Sequence, residues 1–123
     1  MNRSFLLIVG LIFIAYGAAC ALDPGLAARL AGLQIDNGDG FAELGAMYGG
    51  LQTGVGLFLA IAAFRPRLQH GALLLLVLGI GLLAALRGAS ALRTEEAVTA
   101  YTWGALAFES LVTGIAAALL LRR

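Results

Sequence analysis

Three ionisable side chains, Glu43, Arg87 and Glu109, lie within long apolar stretches of the sequence. A charged group inside a lipid bilayer is costly unless it pairs with another group or lines a cavity. A carboxylate beside a guanidinium group can form an ion pair, exchange a proton or bind the polar head of a ligand. We therefore predict that these three residues form a buried polar cluster and mark the binding site.

The positions of Arg87 and Glu109 bring their side chains toward a similar depth in a bilayer. At 1.5 Å per helical residue, Arg87 lies roughly 9 Å and Glu109 roughly 18 Å from the same membrane surface. Helical side chains tilt toward the N-terminus, so on neighbouring antiparallel helices the two lean toward each other. The flat guanidinium group suits two hydrogen bonds to one carboxylate. We predict an ion pair between them, which is either part of a ligand site or purely structural.

Glu43 lies shallower, near the start of the second apolar stretch. It either closes the same cavity from above or faces water, where the helix dipole favours a carboxylate in the first turn. Other polar residues share the helix faces of the pair and complete the predicted site. They are Thr102 and Thr113 on the Glu109 face, and Ser90 within one turn of Arg87.

Three more polar residues occupy the first two apolar stretches: Tyr16, Tyr48 and Gln52. Tyr48 and Gln52 are one helical turn apart, and Gln52 lies about 180° around a regular helix from Glu43. Glu43 and Gln52 are therefore not expected to line one pocket. We predict that Gln52 serves either a second interface or a hydrogen bond to helix one near Tyr16.

The composition is that of an integral membrane protein. Of the 123 residues, 61% are hydrophobic and 12% are charged, against about 25% charged residues in soluble domains. Apolar runs cover residues 4–22, 40–64, 71–92 and 98–121, each near the ~20 residues that a membrane-spanning helix needs. Short connections make neighbouring helices antiparallel. We predict an all-α fold in which residues 1–123 form a single up-down-up-down bundle of four membrane spans.

The arginines indicate the orientation, because positively charged segments beside membrane helices tend to stay in the cytoplasm. Arg3, Arg65, Arg67 and the last two arginines fall on one side of the four-span arrangement. Arg29 and Arg93 fall on the other side, together with most of the acidic residues. Both termini are therefore predicted to be cytoplasmic. The absence of lysine beside abundant alanine, glycine, leucine and arginine points to a GC-rich bacterial genome, and we predict the bacterial inner membrane.

The longest connection joins the first two spans. Asp23-Pro24-Gly25 is a turn signal, and the amphipathic residues 26–33 predict a short interfacial helix that ends near Gly32. We predict Asp39 as the N-cap of helix two and Thr94 as the N-cap of helix four.

Helix two is rich in glycine, which lets helix backbones approach closely in a membrane. At about 100° per residue, one strip contains Ala46, Gly50 and Gly54, and the nearly opposite strip contains Gly45, Gly49 and Gly56. Two such faces predict neighbours on two sides, either within the monomer or with one strip against a second protomer. The predicted helix-packing positions are Gly45, Gly49, Gly50 and Gly54.

The first apolar run is predicted to remain as an uncleaved membrane helix. Ala19-Cys20-Ala21 is similar to a signal-peptide cleavage site, but the run is longer than a usual signal core. Gly17 also occupies a position where a lipoprotein signal favours leucine. Cys20 is the only cysteine, which excludes an intrachain disulfide and a cysteine metal cluster. No metal site and no cofactor are expected, and a net charge of +1 gives no support for nucleic-acid binding.

The order of these residues resembles a known bacterial membrane family. The pattern consists of Tyr16-Gly17, Asp23-Pro24, Glu43 before Met47-Tyr48-Gly49-Gly50, Arg87 late in helix three and Glu109 midway along helix four. Over nearly the whole chain it is similar to the four-helix membrane family DUF4345, a domain of unknown function. The resemblance implies a four-helix bundle and no established activity. A looser likeness to the DoxX-like membrane proteins, some of which accompany oxidoreductases, is an analogy of fold only.

The leading hypothesis is a small-molecule-binding or accessory membrane protein whose cavity, lined by Glu43, Arg87 and Glu109, accepts a lipid or a quinone-like molecule. One alternative is a proton-coupled exporter that works as a dimer, although small four-helix drug-resistance proteins carry their essential glutamate in helix one. A second is a membrane enzyme that uses Glu109 as general acid or base on a lipid, for which the sequence offers no second catalytic group. A third is a structural subunit of a larger membrane complex. The predicted partners are the bilayer, an amphipathic small molecule and either a second protomer or a larger complex.

Overall fold

The membrane-spanning segments predicted from hydropathy are continuous helices in a computed structural model, which describes residues 1–122. The chain order is α1 (Asn2–Leu22), α2 (Pro24–Ala31), α3 (Gly38–Ala63), α4 (Pro66–Arg93) and α5 (Ala100–Leu121). All but the short α2 are long and apolar enough to cross a membrane. The predicted all-α class with four candidate membrane spans is confirmed.

The third span begins earlier than predicted. Helix α4 starts at Pro66 rather than at residue 71, because proline has a fixed φ that suits a helix and lacks the N–H that a first helical residue leaves unpaired. The connection between α3 and α4 is accordingly short, and His70, which precedes the predicted span, lies inside the helix.

Two of the predicted helix caps are wrong. The side chain of Asn37, not of Asp39, accepts the capping hydrogen bond at the start of α3, from the Gly40 N–H at 2.9 Å. Thr94 instead accepts a hydrogen bond from the Glu96 N–H at 3.1 Å within the loop. Helix α5 begins six residues later than Thr94, at Ala100. Because α3 already begins at Gly38, Asp39 lies within its first turn and Asn37 takes the capping position. The Thr94 side chain stabilises the loop turn, a role that competes with capping.

Helix α2 ends where the sequence predicts. Pro24 opens it, and Gly32 closes it with a φ of 70°, a left-handed conformation that glycine adopts without strain. The inner face of α2 is apolar and packs on the ends of α1 and α3. The buried residues of this small core are Cys20, Ala27, Ala28 and Leu44, and the partly buried side chains against it are Tyr16, Leu26 and Tyr48.

The chain divides into two compact units, one formed by Met1–Gln69 and the other beginning at His70. In the first unit, α1 and α3 run antiparallel with their backbones in close approach. A Cβ atom added to Gly56 would lie 2.7 Å from the Gly10 carbonyl oxygen, and one added to Gly49 would lie 2.8 Å from the Ala21 Cα. The strip of α3 that contains Gly49 and Gly56 therefore packs against α1.

The other glycine strip of α3 differs in its surroundings. Gly50 and Gly54 are exposed. Within residues 1–122, an added Cβ at Gly54 meets no atom within 4 Å, and one at Gly50 meets only the Gly45 carbonyl oxygen of the same helix, at 3.9 Å. Helix packing through these two positions stays a prediction.

Two helices contain π-helical segments that the sequence analysis did not anticipate. They cover Gly45–Leu51 in α3 and Leu76–Ile80 in α4. A π-helical turn takes more residues than an α-helical turn, so the angle of about 100° per residue does not hold across Gly45–Leu51. The angle of about 180° predicted between Glu43 and Gln52 assumes a regular α-helix, an assumption that Gly45–Leu51 does not meet.

In the second unit, α4 and α5 also run antiparallel. Contacts at two levels fix their register: an added Cβ at Gly81 would lie 3.1 Å from the Thr113 Cγ2, and one at Gly88 would lie 3.6 Å from the Leu106 side chain. A residue later in α4 therefore faces a residue earlier in α5. This register brings the centre of α5 opposite Arg87.

Candidate functional site

Arg87 and Glu109 form a direct ion pair within the second unit. The Arg87 Nε donates to both carboxylate oxygens, at 3.1 Å to Oε1 and 2.9 Å to Oε2, and its Nη2 donates to Oε1 at 2.8 Å. The side chain of Glu109 is 8% exposed and that of Arg87 is 26% exposed. A charged pair with this forked geometry is the strong form of a salt bridge.

Local packing explains why the two side chains meet. Gly81 and Gly88 lie before and after Arg87 on α4 and face Thr113 and Leu106 of α5, where a Cβ added at Gly81 would crowd the Thr113 side chain. Glycines at these positions let α4 and α5 approach. The pair is thus held between two glycine contacts in an apolar span whose mean hydropathy is 2.3 on α4 and 1.9 on α5.

The Thr113 hydroxyl adds an unused polar group to this neighbourhood. Thr113 lies one helical turn after Glu109 on α5, so the two side chains share a face. Its Oγ1 is buried, and within the described chain it has no hydrogen-bond partner. An unsatisfied buried hydroxyl costs free energy, and in native proteins such a group calls for an explanation.

The other predicted members of the site are placed differently. Ser90 is exposed and Thr102 is partly buried. Glu43 belongs to the first unit, in α3, where it is exposed. The structure therefore brings together Arg87 and Glu109, with Thr113 on the same face. Membership of Glu43, Ser90 and Thr102 in one ligand site stays a prediction.

The sequence matches, over residues 1–120, the family model described as Domain of unknown function (DUF4345). The chain belongs to the DUF4345 family. No curated protein and no solved structure matches it. The family and the four apolar helices together make this chain a small membrane protein. The looser likeness to the DoxX-like proteins is not shown by these comparisons and stays a prediction.

The remaining polar positions of this DUF4345 chain lie in the first unit. Tyr16 and Tyr48 pack against the apolar core between α1, α2 and α3. Gln52 is partly buried. Next to it, the Thr53 hydroxyl donates to the Gly49 carbonyl oxygen at 2.7 Å. Tyr16 and Tyr48 thus contribute to the packing of the first unit of the DUF4345 chain.

Metal binding has no support in the part of the DUF4345 chain that the structure describes. Among residues 1–122, no group of three or more His, Cys, Asp or Glu side chains is placed to hold a metal ion. Cys20 is a buried free cysteine. It packs in the apolar core beside α2.

Two charged contacts of the DUF4345 chain were missed in the sequence. The Arg29 Nη2 donates to the Asp23 Oδ2 at 2.6 Å, and this side-chain hydrogen bond lowers the pKa of the Asp23 carboxyl from its usual value. The guanidinium carbon of Arg3 lies 4.5 Å from the centroid of the Phe64 ring. The sequence did contain the signal for the second contact, because an antiparallel arrangement of the first two spans places the start of α1 beside the end of α3.

Proposed function

We propose that this DUF4345 protein binds the polar head of an amphipathic molecule from the bilayer, a lipid or a quinone-like compound, at the Arg87–Glu109 pair. One observation supports this most: inside an apolar span, the Arg87 side chain of a buried ion pair remains 26% exposed. Ionisable groups in membrane spans commonly mark binding or transport sites. In this proposal the protein acts as a ligand-binding or accessory protein of the membrane.

The chemistry of the three groups suits a ligand with carbonyl or hydroxyl oxygens. A guanidinium group donates to carbonyl, carboxylate or phosphate oxygens, and a carboxylate accepts from hydroxyl groups. The Thr113 hydroxyl, which lacks a partner among residues 1–122, offers a third contact. The pair by itself is weak evidence for a stabilising role, because the cost of desolvation can match the attraction.

The proposal is tested by ligand-dependent thermal stabilisation of the purified protein in detergent. A short-chain quinone and a short-chain phosphatidylglycerol serve as probes. A ligand at 100 times its dissociation constant stabilises the folded state by about 2.7 kcal/mol. We expect such a gain with at least one probe for the wild type and its loss in Arg87→Leu/Glu109→Leu, which removes both charges and leaves no unpaired one.

Two further variants separate binding from folding. Thr113→Val keeps the side-chain volume but removes the hydroxyl. It is expected to weaken binding of the probe that stabilises the wild type, while the fold is preserved. Arg93→Gln removes an exposed arginine at the end of α4 and is expected to behave as the wild type. If neither probe stabilises the wild type, or if all variants respond equally, the ligand site is refuted.

The exporter and enzyme alternatives are tested with the same variants reconstituted in proteoliposomes. Transport of a cationic dye that depends on a pH gradient and is absent in Glu109→Gln supports the exporter instead. Release of products from a labelled lipid supports the enzyme. Either result replaces the binding proposal, because a passive accessory protein gives neither signal.

We also propose that the protein lies in the inner membrane of a bacterium with both termini in the cytoplasm. The support is the distribution of arginines, with Arg3, Arg65 and Arg67 on one side of the spans and Arg29 and Arg93 on the other. A C-terminal fluorescent-protein fusion is expected to fluoresce, and a C-terminal alkaline phosphatase fusion is expected to be inactive. The reverse pattern contradicts the orientation.

A further inference from the structure

One end of the first unit gathers three arginines from distant parts of the sequence. Arg3 stacks on Phe64, with 4.5 Å between its guanidinium carbon and the ring centroid. The next residues, Arg65, Pro66, Arg67 and Leu68, line an open cavity of about 480 Å³. Arg3, Arg65 and Arg67 are all exposed.

Among the described residues of the first unit, no carboxylate lies at this end to balance the positive charge. The acidic residues of the first unit are Asp23, Asp36, Asp39 and Glu43, and they lie either between α1 and α3 or in the first two turns of α3. Because the two helices are antiparallel, that is the opposite end, roughly 30 Å away along a helix of about 20 residues. Within residues 1–122, the salt bridges of the structure join Arg29 to Asp23 and Arg87 to Glu109, and they leave these three arginines out.

We infer that the cavity at Arg65 and Arg67 binds the phosphate headgroup of an anionic phospholipid. The cavity lies where α3 ends and α4 begins, and both helices are candidate membrane spans. A connection between two spans lies at the depth of the headgroups, because each span covers the hydrocarbon core. The site is separate from the Arg87–Glu109 pair and does not depend on the proposed function.

The side chains at this end match that occupant in chemistry. The planar guanidinium group forms paired hydrogen bonds to phosphate oxygens, and basic residues next to membrane spans attract anionic lipids. Leu68 and Phe64 are exposed apolar side chains beside the arginines, suited to the first acyl carbons of a lipid. The stacking on Phe64 restricts the Arg3 side chain, so less entropy is lost when it binds a phosphate.

The test measures lipid retention by the full-length protein in nanodiscs of equal phosphatidylglycerol and phosphatidylcholine, by native mass spectrometry after detergent extraction. Both leaflets have one composition, so a changed membrane orientation does not affect the result. We expect the wild type to retain phosphatidylglycerol in preference to phosphatidylcholine. Each arginine near an anionic surface contributes a factor of about five, so Arg65→Gln/Arg67→Gln should reduce the preference by roughly 25-fold at low salt.

Arg93→Gln is the control, because it removes one exposed arginine at the opposite end of α4. It should keep the preference of the wild type. Equal retention by the wild type and the double variant overturns the inference. A loss of about fivefold in Arg93→Gln also overturns it, because attraction by net charge alone predicts that loss for one positive charge. A further outcome is that inorganic phosphate stabilises the wild type in neutral detergent as strongly as phosphatidylglycerol does. That result assigns the cavity to a free anion and overturns the inference of a lipid.

Discussion

Glu109→Ala is expected to lower the free energy of unfolding by about 3–5 kcal/mol, because it removes the carboxylate partner of a largely enclosed guanidinium group in an apolar span. The basis is the geometry of the pair, with three hydrogen bonds between 2.8 and 3.1 Å and a carboxylate side chain only 8% exposed. Denaturant titration in mixed micelles, followed by helical circular dichroism, measures the change.

The double variant Arg87→Leu/Glu109→Leu is the decisive comparison for this prediction. Replacing both members of a buried ion pair with apolar residues is often neutral or stabilising, and in an apolar span leucine is favourable. We therefore expect the double variant to recover most of the stability that Glu109→Ala loses. A loss below 1 kcal/mol in Glu109→Ala contradicts the burial of the pair, and a double variant as unstable as the single one shows that the fold depends on the ion pair.

The same pair shows how far sequence reasoning reached. Hydropathy located the spans because ~20 apolar residues have few other uses, and the contact between Arg87 and Glu109 followed from helical rise and side-chain tilt on antiparallel neighbours. Those quantities are local and nearly constant in regular helices. The pair lies within regular α-helical segments, Gly81–Arg93 and Ala100–Leu121, so they apply there.

Predictions for the second span assumed a regular α-helix, and α3 departs from it at Gly45–Leu51. The faces of Glu43 and Gln52 were assigned with a constant angle per residue, and the π-helical segment Gly45–Leu51 breaks that periodicity. Hydrophobic pattern alone does not reveal a π-helical turn, because the segment GAMYGGL is as apolar as a regular one. The sequence likewise showed two glycine strips but not which of them packs against α1.

The second large expected effect is a loss of stability when a glycine in the contact between α1 and α3 is replaced by alanine. Gly17→Ala and Gly56→Ala are each expected to cost about 1–3 kcal/mol of unfolding free energy, the usual range for inserting a methyl group into a closely packed contact. The new Cβ at position 17 would lie 2.5 Å from the Thr53 backbone nitrogen, and that at position 56 would lie 2.7 Å from the Ile14 nitrogen. Both neighbours are backbone atoms, so relief requires α1 and α3 to move apart.

Gly54→Ala is the matched control in the same helix. Its added Cβ meets no atom within 4 Å in the described chain, so only the higher helix propensity of alanine acts, with a gain of about 0.5–1 kcal/mol. The expected order of stability is therefore Gly54→Ala above the wild type and Gly17→Ala or Gly56→Ala below it. A destabilising Gly54→Ala implies that another surface covers this strip, whereas neutral substitutions at 17 and 56 imply that α1 and α3 are not in backbone contact. Because each substitution adds the same methyl group, helix propensity favours all of them equally, and the difference in sign measures the packing of α1 on α3 alone.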